Sequence, residues 1–567
     1  MAEIGHNRGT TARNRPLERT IRGPAKRPAP GERPCTPAGA STLQCAVHRP
    51  QHSPWTIALT VTLATFMEVL DTSIANVALP HIAGSLGASV DEATWVLTSY
   101  LVSNAIVLPM SAWLSTMIGR KRYYMMSVAL FTASSLLCGL APSLGMLIVF
   151  RVLQGVGGGG LQPSEQAVLA DTFAPERFGL AFSIYGMAVV VAPAIGPTLG
   201  GWITDNYDWC WIFFINIPIG IISLILTYRM IQDPPHLVRA RRRARRQGMR
   251  LDFVGIALLA LTFGPLEVVL DKGEEDNWFQ SHLILAFAAI SAAAFVIGIG
   301  WELYQEHPIV NLRLFKNRSF AESALMMFMV GAMLYGTTTL LPEFVQELMG
   351  YTAELAGTML SPGALLMMVT MPVTGFLLQR LNARWLIGFG LLVLSAALYH
   401  MSAIDLEISW WNAMMLRTYQ AMALSFLFVP INALSYVGVK PEQNNQGSGL
   451  INLMRNVGGD VGISLTGAMV TNRAQVHQAL LAQSATSYNP QMQTSLQNLA
   501  STLMPAGLSA SDAMHQAYAR IYAGLQVQAQ TLAYIDTFWV LAVIALCLTP
   551  LVFLLKRVEP GEAPLGH

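Results

Sequence analysis

The chain is short of charge. Asp, Glu, Lys and Arg make up 12% of its 567 residues while 53% are hydrophobic, and a soluble protein carries about 25% charge. A soluble globular chain is therefore excluded, and the apolar runs recur from end to end. Enzyme signatures are missing as well. Gly157-Gly158-Gly159-Gly160 is not followed by the Lys-Ser/Thr of a phosphate-binding loop, so the chain is not an ATPase of that kind. The eleven histidines show no H-E-x-x-H spacing. Five cysteines (Cys35, Cys45, Cys138, Cys210, Cys547) have neither paired nor metal-like spacing, which excludes a disulfide framework and a metal site. No cofactor and no nucleic-acid partner are expected.

What the chain does have is a series of apolar stretches long enough to cross a bilayer, about 20 residues each. Fourteen are expected, near 55–79, 94–114, 123–141, 145–169, 178–203, 210–230, 253–271, 281–301, 319–342, 353–379, 384–402, 409–436, 446–471 and 532–555. Charge asymmetry supports the count. With the N-terminus inside, the inner connections hold Arg120, Lys121, Arg122, Arg177, the run Arg239 to Arg250, Arg313, Lys316, Arg318, Arg380, Arg384 and Lys440. The short outer loops hold Asp91, Glu92, Asp205, Asp208, Asp405 and Glu407 among others, with Lys272 as their one basic residue. That is the positive-inside pattern, with both termini cytoplasmic.

Three segments lie outside the spans. Residues 1–54 are basic and rich in Pro, Gly and Thr, and read as a disordered cytoplasmic tail. The basic loop 231–252 reads equally as a patch against anionic membrane lipid or as a solvated topology signal. Residues 472–531 are rich in Ala, Gln and Ser. Leu496, Leu499 and Leu503 recur there at helical spacing, so amphipathic helices are expected beyond the outer face.

Charges inside the spans are the candidate functional residues, because each costs about 2.5–3.5 kcal/mol to insert. Glu68 and Asp71 are three residues apart in the first span, on one helix face. Asp71 lies about 13 Å below the outer end of its span and Arg151 about 10 Å below the end of its own. These two occupy one depth. A carboxylate balanced between desolvation and a nearby cation can load and release a proton; the alternative is a static pair that fixes packing. Glu68 is a second protonation site, a counter-charge for a cationic substrate, or a passive lining of a wet cavity. Asp460 in span 13 is a third candidate, unless it only pairs with Arg455.

The chain also repeats itself. Arg151-Val-Leu-Gln154-Gly155 followed by Pro163 is matched by Arg417-Thr-Tyr-Gln420-Ala421 followed by Pro430. The inner loop Ala112 to Lys121 parallels Gly375 to Arg384. Repeats in one membrane orientation mean two similar bundles, 55–230 and 319–556, on either side of spans 253–301. The arrangement is 6+2+6.

Several motifs carry a resemblance: Leu70 to Pro80 in span 1, Thr94-Trp95-Val96 and Asn104-Ala105-Ile106 in span 2, Arg151, Gln154 and Gly155 in span 4, and Ala192-Pro193-Ala-Ile-Gly196-Pro197-Thr-Leu-Gly200-Gly201 in span 5. From Trp55 to Arg557 the chain resembles the major facilitator superfamily, and within it the fourteen-span drug:proton antiporters of the EmrB/QacA type. That implies an all-α membrane protein with the major facilitator fold. It implies proton-coupled efflux of hydrophobic or amphipathic toxic compounds, resident in the bacterial inner membrane. Proton coupling would fall to Asp71, Glu68, Arg151 and Asp460. The substrate cavity would include Glu68, Asn104, Arg417 and Gln420. Pro193, Gly196, Pro197, Gly200 and Gly201, with Arg120 and Lys121, would form the moving parts, the span-5 cluster giving a tight, dry contact between the bundles. The outer segment suggests docking with a periplasmic adaptor and an outer-membrane channel. Two departures stand out: Thr116 replaces the acidic residue that normally partners Arg120, and Asp460 stands where a small residue is usual. The 28 methionines suit a surface that accepts varied apolar ligands. Export of one metabolite, siderophore or lipid is the same-fold alternative, and a sensor or scaffold that transports nothing is the other.

Overall fold

A computed structural model describes residues 52–234, 237–239, 241–242, 252–306, 308–486, 488–504 and 509–554. The basic tail apart from 52–54, most of the Arg239–Arg250 run, Cys35, Cys45, Lys556 and Arg557 lie outside the described residues. Among the described residues all regular structure is helical.

The first set of helices comprises α1 (Pro54–Leu86), α2 (Trp95–Ile118), α3 (Arg120–Gly139), α4 (Leu144–Gly158), α5 (Leu161–Thr172), α6 (Phe178–Asn206) and α7 (Asn216–Met230). A pair follows, α8 (Phe253–Lys272) and α9 (His282–Tyr304). The second set is α10 (Arg318–Glu347), α11 (Ala353–Leu377), α12 (Ala383–Met401), α13 (Trp410–Ser435), α14 (Asn444–Ala482) and α16 (Ala510–Leu548), with α15 (Pro490–Leu503) between the last two. Among the described residues twelve helices, α4 and α5 counted as one, are long and apolar enough to cross a membrane. Two more, α3 and α14, have span length but a more polar composition; α14 carries Arg455 and Asp460.

Helix boundaries follow local chemistry. Thr352 and Ser409 accept bonds from the backbone N–H of Leu355 and Asn412 at the starts of α11 and α13, filling donors that a helix start leaves unpaired. Pro80 does not end α1, as the sequence suggested. The helix runs on to Leu86 and stops at Gly87, whose φ of 65° suits glycine. The expected fourth span breaks into α4 and α5 at Gly159-Gly160, where a side chain on Gly159 would lie 2.8 Å from the Asn104 carbonyl.

Packing repeats the internal symmetry of the sequence. Within the first set α1 packs on α6, α2 on α4, and α3 on α4 and α7; within the second, α10 packs on α14, α11 on α13, and α12 on α13 and α16. Numbering spans from the start of each set, these are the same partnerships twice. Between the sets α6 meets α11 and α2 meets α14, again one contact seen from both sides of a two-fold axis. The helix pair α8–α9 joins this body through α8, which lies against α2 and α14.

The segment expected to stand apart is helical. Both α14 and α16 are 39 residues long, continuing well past the expected ends at 471 and 532. Leu496, Ala500 and Leu503 of α15 bury against Ala513 and Ala517 of α16. Farther down, Asp536 binds Arg473 at 2.5 Å and His477 at 2.8 Å, tying α16 to α14.

Candidate functional site

The interior of the first set is built around two acids one turn apart on α1. Asp71 is saturated. Its Oδ2 accepts from Arg151 Nη1 at 2.6 Å, and its Oδ1 from Gln154 Nε2 at 3.0 Å and Asn216 Nδ2 at 2.5 Å. Arg151 also donates to the Val96 carbonyl at 3.0 Å and lies over the Tyr100 ring at 4.5 Å. Arg151 is wholly buried and Asp71 is 2% exposed. One ion pair thereby holds α1, α2, α4 and α7 together.

Glu68 is held differently. Its Oε1 accepts from Asn104 Nδ2 at 3.2 Å and Tyr100 Oη at 3.4 Å, and its Oε2 from Gln162 Nε2 at 2.9 Å. All of these donors are neutral. Gln162 then accepts from Arg455 of α14 and, at 3.2 Å, from Tyr185 of α6. Tyr185 receives a bond from Arg455 at 2.6 Å and shares its one hydroxyl hydrogen between Gln162 and Asn452, the latter at 2.8 Å. Asn452 donates to Gln166 at 2.9 Å, and Gln166 to Asn432 at 3.1 Å. The carboxylate of Glu68 is thus the first-set end of a polar chain that crosses into the second set.

Asp460 is not in this chain, and the Arg455–Asp460 pair offered by the sequence does not form. Arg455 is taken by Gln162, Tyr185 and Asn456, while Asp460 meets the buried Glu267 of α8. Asp271, one turn on, accepts from Thr98 of α2. Lys272 donates to Thr94 at 2.5 Å.

In the second set Arg417 and Gln420 repeat the geometry of Arg151 and Gln154. Arg417 Nη1 donates to Gln420 Oε1 at 2.5 Å and Nη2 to Thr338 Oγ1 at 2.7 Å, and Gln420 donates to Thr337. Two threonines stand where the first set has Asp71. Arg417, Thr338 and Tyr335 line a narrow pocket between the sets, with Val190, Pro193 and Met367 on its apolar side. Of the four residues expected in a cavity, Arg417 lines this one. Gln420 lies behind it, and Asn104 and Glu68 belong to the polar chain.

The glycine and proline cluster of α6 divides its work. Gly196 and Gly200 face Ser73 and Ile74 of α1, within their own set, and Ser73 donates to the Pro193 carbonyl at 3.1 Å. Gly201 faces open space. The seam between the sets lies instead at Pro197 against Gly357, and at Gly179 against Gly375, where an added Cβ on Gly179 would sit 2.7 Å from the Gly375 carbonyl. The close inter-set contact expected of the whole cluster is therefore made by part of it, Ala194 with Leu360 and Ala364 and Pro197 with Gly357, and by glycines outside it, because successive helix positions face different neighbours.

At the basic end, Arg120 finds a partner the sequence did not indicate. Its Nη1 donates to Asp171 at 2.5 Å and to the Ala167 carbonyl at 3.0 Å. Thr116 turns back to its own helix, bonding the Ala112 carbonyl. Lys121 Nζ donates to the Tyr228 carbonyl at 2.6 Å and its backbone N–H to Asp233 at 2.9 Å. Polar contacts close the seam here: Asn444 donates to Asp171, Asn445 to Ser115, and Ser448 to the Pro163 carbonyl, each at 2.8 Å. Gln162, Gln166, Asn452, Glu165, Asp171 and Glu267 are the residues that sequence reading passed over. Their signal was present, since a polar side chain within an apolar span needs an internal partner.

The Major Facilitator Superfamily model matches residues 61–463. The chain belongs to the major facilitator superfamily. Among its curated relatives, the multidrug export protein EmrB of Escherichia coli K12 is 36% identical over 506 residues, 88% of this chain and 94% of that protein. The fatty acid resistance protein FarB of Neisseria gonorrhoeae is 36% identical over 80% of this chain and 87% of its own length. The colistin resistance protein EmrB of Acinetobacter baumannii is 29% identical over 87% and 95%. Among solved structures, the proton:xylose symporter XylE matches with a TM-score of 0.58 at 12% identity, covering 90% of this chain and 98% of that one, a likeness of fold.

Proposed function

We propose that this protein is a proton-coupled multidrug efflux antiporter of the bacterial inner membrane, exporting hydrophobic or amphipathic compounds by alternating access. The family and the EmrB relatives support export. The observation that carries proton coupling is the Glu68 chain. A buried carboxylate with neutral donors is bonded through Gln162 to Arg455 and Tyr185, across the seam between the two helix sets. A proton arriving on Glu68 changes the charge that Gln162 and Arg455 face, and so the grip of one set on the other. Asp71, held by Arg151, Gln154 and Asn216, positions α1 around it; the Asp460–Glu267 contact extends the acid set to the α8–α9 pair.

On this reading α3 and α14 are spans despite their polarity, because their polar faces are buried in the bundle. The total is fourteen: bundles 55–230 and 319–556 around the linker pair 253–301, both termini cytoplasmic, and the basic end inside. The pocket at Arg417 is a substrate subsite, and the helices of 472–531 face the periplasm toward an adaptor and an outer-membrane channel. FarB favours one narrower alternative, an exporter of a single fatty-acid-like class.

A deletion strain complemented with the wild-type protein or with Glu68→Gln, screened against chemically diverse toxic compounds and fatty acids, tests both. Broad protection by the wild type, lost in Glu68→Gln, is expected. Protection against fatty acids alone selects the narrower reading, and full protection by Glu68→Gln removes the coupling role.

A further inference from the structure

A second carboxylate lies deeper in the first set than Glu68. Glu165 of α5 is fully buried. Its Oε1 accepts from Thr62 Oγ1 at 2.5 Å, and its Oε2 has no partner. Among the described residues it has no ion-pair partner, and it is away from the ion pair at Asp71. Thr65 of α1 stands beside it, its hydroxyl turned to the same carboxyl.

Four helices place this site on the same side of Glu68. On α5, Gln162 touches Glu68, and Glu165 is one turn nearer the basic end. On α1, Thr65 and Thr62 lie one and two turns below Glu68, the latter about 9 Å away along the axis. On α7, Asn216 reaches Asp71; Ser223, about 10 Å farther down, turns its buried hydroxyl to Tyr124 of α3, and the buried Thr227 hydroxyl below it has no partner among the described residues. On α3, Tyr124 donates to the Val61 carbonyl at 2.8 Å. A buried polar atom is costly to leave without a partner. Thr62, Thr65, Glu165, Tyr124, Ser223 and Thr227 together mark a polar file through an otherwise apolar bundle.

We propose that Glu165 is the inner station of a proton path running inside the first bundle, from Glu68 through Thr65 and Thr62 toward the basic end. The step is a proton transfer from the Glu68 carboxylic acid to the Glu165 carboxylate, leaving Glu68 ionised and Glu165 neutral; Thr65 receives and passes on one proton in the process. This deepens the coupling reading above and rests on it. It also explains why a proton route is needed within one bundle: the seam between the bundles is closed at the basic end by Asn444, Asn445 and Ser448. The charged or titratable groups around Glu165 are Glu68 on α1, Tyr124 on α3, Tyr185 on α6 and, beyond Gln162, Arg455 on α14.

Infrared difference spectra of the full chain in lipid nanodiscs, recorded on stepping from alkaline to acid pH, read buried carboxyl protonation without any substrate. The wild type is expected to gain carbonyl bands of protonated carboxyls. Glu165→Gln removes one of them, and Glu68→Gln removes another and shifts the one that Glu165→Gln abolishes. A Glu165→Gln spectrum identical to wild type overturns the proposal, because a carboxyl of fixed protonation with a merely structural role leaves the difference spectrum unchanged. In liposomes, pH-gradient-driven ethidium transport is expected to fall about ten-fold or more in Glu165→Gln, with ethidium binding retained. Normal transport by Glu165→Gln beside a dead Glu68→Gln overturns the relay and leaves the coupling reading standing. Normal transport by both overturns the coupling reading itself. Should Glu165→Gln not fold, the double variant Thr62→Val, Thr65→Val keeps the carboxylate; a slowed proton step supports the path, and a wild-type rate overturns it.

Discussion

Asp71 and Glu68 are one turn apart, yet their surroundings assign them different work. Asp71 meets a guanidinium and two amides, so it behaves as a rivet. Converting it to Asn leaves Arg151 buried without its counter-charge, a loss of roughly 3–5 kcal/mol. Asp71→Asn is therefore expected to lower the thermal unfolding midpoint in detergent sharply, whereas Glu68→Gln shifts it little and instead uncouples transport. Equal midpoints for Asp71→Asn and wild type would contradict the rivet. The sequence carried the two acids and the depth of Arg151, because intramembrane charge is visible in any apolar run. It did not carry their division of labour. That depends on Gln154, Asn216 and Gln162, uncharged residues from other helices whose facing is decided only by packing.

Among the helices, α14 depends most on small residues. Gly458 lies against the Phe328 carbonyl, Gly331 against that of Arg455, and a Cβ on Gly462 would meet the Ala332 Cα at 2.5 Å. Backbone on backbone leaves no side chain to yield, so Gly462→Leu forces α10 and α14 apart. An overpacking cost of about 1–3 kcal/mol or more is expected, seen as a lower unfolding midpoint and weaker retention of folded protein; Gly467→Leu, which faces open space, serves as the control and should be neutral. The spacing of these glycines was legible as a seam-forming pattern only once the partner helix was known. Likewise the end of α14 was placed too early in the sequence and the start of α16 too late, since leaving an apolar environment does not break a helix that has no Gly, Pro or cap to stop it.

At the scale of the whole molecule, the two-fold partnership of helices and the polar closure at one end describe a body shut toward its basic face. A pair of cysteines at Ser115 and Asn445, whose side chains are hydrogen-bonded at 2.8 Å, in a background with the native cysteines replaced, is expected to cross-link under oxidation. Transport should stop and return on reduction. Efficient transport by the fully cross-linked protein would show that this seam does not open in the cycle. The repeated motifs at Arg151 and Arg417 made the two-fold legible from the sequence alone, while the closure was not, being made of Asn and Ser side chains that carry no periodic signal.

The length of α14 and α16 has a mechanical meaning. At 1.5 Å per residue each is about 58 Å long, against roughly 40–45 Å for a bilayer with its headgroups. The two are cross-braced by Asp536 with Arg473 and His477, and capped by α15. They form a stiff lever rooted in the second bundle. A tilt of only about 10° at its base, the scale of domain rotations in transport and allostery, would sweep its tip by several ångströms. Whatever rests on that tip would be pushed and released once per turnover, so the proton that moves Glu68 would also drive a stroke well outside the membrane.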